Sequence, residues 1–124
     1  MKRSSVIILL TLVLILALSG CFYPRFPDML GSWEVTFSFE DSTRYGSFEI
    51  THHYGYNFSG SFCEDGQPCR DFFGLLFNGG GVAVYTRIEE GIIDFNGTIS
   101  KGIMSGTFIL HDTSEEGSWN ASKK

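Results

Sequence analysis

Trp33-Glu34-Val35-Thr36-Phe37-Ser38-Phe39 alternates without a break, apolar at odd positions and polar at even ones. Successive side chains of an extended strand point to opposite faces, so this pattern describes a strand with one face buried and the other in water. Working outward from it, further β-type segments stand at residues 46–52, 56–62, 72–77, 82–88, 92–99, 103–110 and 118–122, bounded by Gly, Asn or Asp. Nothing after residue 30 sustains a 3.6-residue period. Short strands joined by short loops predict an all-β fold. With the first segment they number eight, an even count that suits a small eight-stranded antiparallel up-and-down barrel, in which closure leaves no sheet edge open.

Two internal echoes support closure. Phe58-Ser59-Gly60-Ser61-Phe62, Phe95-Asn96-Gly97-Thr98-Ile99 and Met104-Ser105-Gly106-Thr107-Phe108 share one form, with a glycine between two polar residues flanked by apolar ones. Period-two geometry puts each glycine on the apolar face, where it lets a strand coil sharply and makes room for a neighbouring ring. The second echo is Gly31-Ser32-Trp33 and Gly117-Ser118-Trp119, which open the first and last strands. Those two strands are predicted to pair and close the sheet.

Gly31-Ser32-Trp33 at the first strand resembles the G-x-W signature of the calycins, the lipocalins and avidin-like barrels. The resemblance implies an eight-stranded barrel with the tryptophan packed across one end, and we extend this barrel-end role to both Trp33 and Trp119. Lipocalins are longer and carry a C-terminal helix. Avidin-type biotin sites use several tryptophans, whereas this chain has two. The resemblance therefore implies architecture and no ligand. The S-G-x-x-Y pattern of the eight-stranded lysozyme-inhibitor lipoproteins is absent.

A barrel of this size is filled by side chains or holds one small ligand. The inward row is expected to be Trp33, Val35, Phe37, Phe39, Phe48, Ile50, Phe58, Phe62, Phe95, Phe108 and Trp119. That much aromatic volume predicts a filled core, with a ligand-sized apolar cavity as the alternative.

The N-terminus carries a different signal. Lys2 and Arg3 precede an apolar run of 13 residues, 6–18, interrupted by the polar Thr11. This suits a signal-peptide core and is short for a membrane span, which needs about 20 residues. The run ends in Leu18-Ser19-Gly20-Cys21, which resembles the lipobox of bacterial lipoprotein precursors. The resemblance implies cleavage before Cys21, a diacylglyceryl group on its thiol and acylation of its amino group. Two alternatives stay open: ordinary secretion with cleavage after Ala17-Leu18-Ser19, and an uncleaved anchor. The expected organisation is a lipoprotein signal peptide at 1–20, a short lipidated tether at 21–29 and a β-barrel domain at 30–124. The tether aromatics, Phe22, Tyr23 and Phe26, either rest in the membrane interface or pack on the end of the domain.

Loss of residues 1–20 removes Lys2 and Arg3, leaving 7 Lys+Arg against 14 Asp+Glu, a formal charge of −7. Such acidity argues against a nucleic-acid partner and against electrostatic docking to anionic lipid. Membrane attachment is then expected through the acyl chains on Cys21. Each buried methylene contributes about 0.8 kcal/mol, so two or three chains hold firmly. With Cys21 lipidated, Cys63 and Cys69 remain, and outside the cytosol they are expected to form a disulfide across Glu64-Asp65-Gly66-Gln67-Pro68.

No catalytic pattern stands out. G-x-S-x-G, H-E-x-x-H and the P-loop are all missing. Gly79-Gly80-Gly81 precedes a strand rather than a helix and reads as a hairpin turn. His52 and His53 face opposite sides of a strand, so one at most joins His111, and no carboxylate spacing completes a metal site. No metal, cofactor or enzymatic activity is expected. The expected protein is a cell-envelope lipoprotein, on the periplasmic face of the outer membrane in a Gram-negative cell. Its barrel is expected to bind an envelope protein, in the manner of an inhibitor, through its loops. The alternatives are a carrier of a small apolar ligand and a structural envelope component.

Overall fold

The computed structural model describes residues 26–124; the expected signal peptide at 1–20 and the expected lipidation site, Cys21, lie outside them. The eight expected strands are present: β1 (Gly31–Ser38), β2 (Thr43–Tyr54), β3 (Asn57–Glu64), β4 (Arg70–Phe77), β5 (Gly81–Ile88), β6 (Gly91–Ser100), β7 (Ile103–Leu110) and β8 (Glu115–Lys123). Each pairs antiparallel with the next, and β1 pairs with β8, so the sheet closes into a barrel.

The interior is a continuous aromatic cluster. Phe95 lies 5.8 Å, ring centre to ring centre, from Phe37, Phe48 and Phe108, and 5.3 Å from Trp119. The contacts continue through Phe48 to Phe62 and Phe72, both at 5.2 Å. Every residue of the expected inward row is buried. Burying one large apolar side chain contributes about 1.5–3 kcal/mol, so this cluster dominates the stability of the fold. The outer wall mixes polar residues such as Glu34, Ser59 and Thr107 with exposed apolar ones such as Phe73, Tyr85 and Ile92.

The repeated glycines act as expected. Gly97 of β6 stands opposite Gly106 of β7. A Cβ at Gly97 would fall 1.9 Å from the Ser105 carbonyl oxygen, and one at Gly106 1.9 Å from that of Asn96. Side chains are excluded there, and the strands coil tightly. Gly74 has a different role: it lies opposite Phe58, whose ring occupies the space a side chain would fill. A β-bulge in β2 between Ile50 and His52 adds a further bend beside Gly60.

Two details depart from the expected layout. Met29, placed in the tether by the sequence, is fully buried, so the packed unit begins before residue 30. The Gly-Ser-Trp tripeptides do not meet at one end. Strands β1 and β8 run in opposite directions, so residues that open them are displaced along the barrel. Trp33 stands opposite Lys123, and Trp119 opposite Phe37.

Candidate functional site

The antiparallel connections sort the turns into two sets. At one end, here termed proximal, the chain enters through residues 26–30 beside the β2–β3, β4–β5 and β6–β7 turns and Lys124. The distal end carries the β1–β2, β3–β4, β5–β6 and β7–β8 turns.

Trp33 sits toward the proximal end, where its indole N–H donates to the Met29 carbonyl at 2.9 Å. The Lys123 ammonium lies 5.9 Å from the centre of its ring and also bonds the Asp28 carboxylate at 3.2 Å. Phe26 packs edge-on against Tyr56 at 4.8 Å and faces His53 at 6.0 Å, so this tether aromatic rests on the end of the barrel. Beside it, Phe26, Tyr56, Leu76, Phe77 and Ile99 line an open groove of about 220 Å³.

At the distal end Cys63 and Cys69 form a disulfide, with their Cα atoms 4.2 Å apart. The crosslink restrains the β3–β4 turn. Next to it Arg44 reaches over the Phe37 and Phe39 rings, 5.4 and 5.3 Å from their centres. Its Nε and Nη2 donate to the two Glu64 carboxylate oxygens at 2.7 and 2.8 Å, and Nη1 donates to Glu90 at 2.7 Å. The Glu64 hydrogen bonds hold the guanidinium well above the ordinary arginine range, against the opposing effect of partial burial, and Glu90 adds to them. Arg44 thus closes the interior at the distal end and ties the base of the stapled loop to the β5–β6 turn.

The histidines are divided between the ends. His52 and His53 lie near the proximal end of β2, while His111 follows β7 at the distal end and pairs with Asp94 at 2.6 Å. Among the described residues no group of three or more His, Cys, Asp or Glu is arranged to hold a metal ion. Gly79 and Gly80 adopt positive φ in the β4–β5 turn, which accounts for the glycine run.

Arg44 lies two residues before the β-type segment at 46–52 that the sequence pattern marks, so alternation within that segment does not include it. Extending the segment back two residues places Arg44 on the inward face with Phe48 and Ile50, and an inward arginine at a strand end is a cap. The apolar proximal rim carried no comparable signal, since its members come from separate turns and strand ends.

The closed antiparallel barrel is compatible with a calycin-like architecture. No family model matches the chain, and no curated protein matches it.

Proposed function

We propose that this protein is a lipid-anchored cell-envelope lipoprotein whose barrel binds a protein partner through its distal end, without catalysis. The observation that carries this reading is the packed interior. Aromatic rings fill the barrel, Arg44 covers one end of the cluster, and Met29 with Trp33 occupies the other. A filled barrel favours recognition by surface loops over carriage of a small apolar ligand.

The arrangement of the ends supports the same choice. Residues 26–30 enter at the proximal end, so an acyl anchor on Cys21 leaves the disulfide-stapled loop facing away from the membrane. A restrained loop loses less conformational entropy on binding than a free one. The base of this loop is held further by the Arg44–Glu64 pair.

The test is capture from envelope extracts with the wild-type chain and with a variant in which residues 65–68 are replaced by Gly and Ser, leaving the Arg44–Glu64 pair in place. The expected result is an envelope protein retained by the wild type and lost with the loop variant, while both keep the barrel fold by circular dichroism. Identical capture by both would overturn the distal-loop reading. A small molecule bound in stoichiometric amount, seen by native mass spectrometry, would favour the carrier instead.

A further inference from the structure

The exposed apolar side chains are unevenly distributed. Leu30, Tyr54, Tyr56, Phe77 and Ile103 lie in the turns or strand ends of the proximal rim, and Tyr54 is 74% exposed. Tyr45, Phe73, Tyr85 and Ile92 are scattered over the wall and the distal half. Acidic charge divides along the same axis. Lys101, Lys123 and Lys124 stand on the proximal rim, from the β6–β7 turn round to the end of β8, while Arg44, Arg70 and Arg87 lie at the distal ends of their strands among the acidic turns. The acidic pairs Glu40-Asp41, Glu64-Asp65, Glu89-Glu90 and Glu115-Glu116 all fall in distal turns or at the strand ends beside them. The formal charge of −5 for the whole chain conceals this segregation.

We infer that the proximal rim is a second membrane contact, seated on the surface of an anionic phospholipid bilayer. Tyr54, Tyr56 and Phe77 would lie at headgroup depth, and Lys101 and Lys124 against lipid phosphates. Rings of this kind favour the interface, and lysines extend their ammonium groups toward phosphates there. The chain itself points to the bilayer as occupant. Phe26 is docked on this end, and only four residues separate it from Cys21, a reach of at most about 18 Å. An acyl chain on Cys21 therefore holds this rim within touching distance of the headgroups.

Net negative charge does not oppose the contact. Eight residues of tilted strand span about 20 Å. That exceeds two screening lengths at physiological salt, about 8 Å each, so the distal carboxylates are screened from the bilayer. Of the acidic groups toward this end, Asp28 is paired with Lys123, and Glu49 accepts a hydrogen bond from the Ser32 hydroxyl. The effect is to orient the barrel, rim down and stapled loop out.

This inference rests on the lipoprotein reading for its setting, and the experiment separates the two. The chain from residue 21 onward carrying Cys21→Ser retains every residue of the packed interior and has no acyl group. Its flotation is measured with vesicles of phosphatidylcholine alone and of phosphatidylcholine with phosphatidylglycerol. Binding is expected on the phosphatidylglycerol vesicles, weaker by about tenfold in Lys101→Glu/Lys124→Glu. It is expected to be lost in Tyr54→Ser/Phe77→Ser, and unchanged in Tyr45→Ser/Ile92→Ser, whose positions lie elsewhere. All variants are checked for an unchanged melting temperature.

No binding to either vesicle, equal loss in the control variant, or a dimer that buries the same residues would each overturn the proposal. Mass analysis of Cys21 in protein from the envelope decides the anchor independently. An acylated Cys21 with no rim-dependent vesicle binding keeps the lipoprotein reading and removes this one. Rim-dependent binding with an unmodified Cys21 does the reverse.

Discussion

Trp119 of β8 donates its indole N–H to the carbonyl of Asn96 on β6, 3.0 Å away and two strands distant. Between them stands Gly106 of β7, opposite both Trp119 and Gly97. The bond exists because the intervening strand presents no side chain on the inner face. Gly106→Val is expected to destabilise the barrel by at least the overpacking range of about 1–3 kcal/mol, since its Cβ would meet backbone rather than a flexible side chain. Trp119→Phe removes the donor while leaving most of the ring volume, and is expected to cost about 1–3 kcal/mol. Urea unfolding measures both. The Gly106→Val/Trp119→Phe pair should be non-additive, because each single change already breaks the same bond.

Closure between the first and last strands makes the chain end indispensable. A chain ending at Ser118 loses Trp119, Ala121 and most of the β1–β8 ladder from Trp33 to Ser38. It would leave the apolar β1 strand unpaired along one edge. The expected outcome, by size-exclusion chromatography and circular dichroism, is aggregated or unfolded material in place of a monomer. Trp33→Ala in the full chain removes a fully buried ring and is expected to cost about 3–5 kcal/mol.

The Cys63–Cys69 disulfide closes a short loop, with a sequence separation of 6. On the loop-entropy account so short a loop stabilises by about 2 kcal/mol. Cys63→Ala/Cys69→Ala is therefore expected to fold, with a lower melting temperature than the wild type. Reductant should lower the wild-type melting temperature to a similar extent and leave the double variant unchanged.

Cys21 tests the anchor. Cys21→Ser is expected to block processing in a bacterial host and leave residues 1–20 attached to the chain. The check is intact mass of the membrane-associated protein. Normal processing and unaltered membrane attachment would exclude lipidation at this position.

Strand number, strand class and inward row were legible in the sequence, because a half-buried antiparallel strand writes its two faces as alternating residues. The pattern from Trp33 to Phe39 is the plainest case. The glycine triplets were legible for the same reason, since parity alone places Gly60, Gly97 and Gly106 inside. The Cys63–Cys69 pairing followed from the small number of cysteines and a turn-forming segment between them. What only the tertiary structure decided is the position of residues along the barrel axis. Parity gives a face and says nothing of height, and height depends on the register of strands distant in sequence. Trp33 and Trp119 share a face and a tripeptide, yet opposite strand directions set Trp33 against Lys123 and Trp119 against Phe37. The two ends differ for the same reason. Alternate turns gather on opposite rims, so apolar residues and lysines from separate hairpins form one surface, and acidic turns form the other.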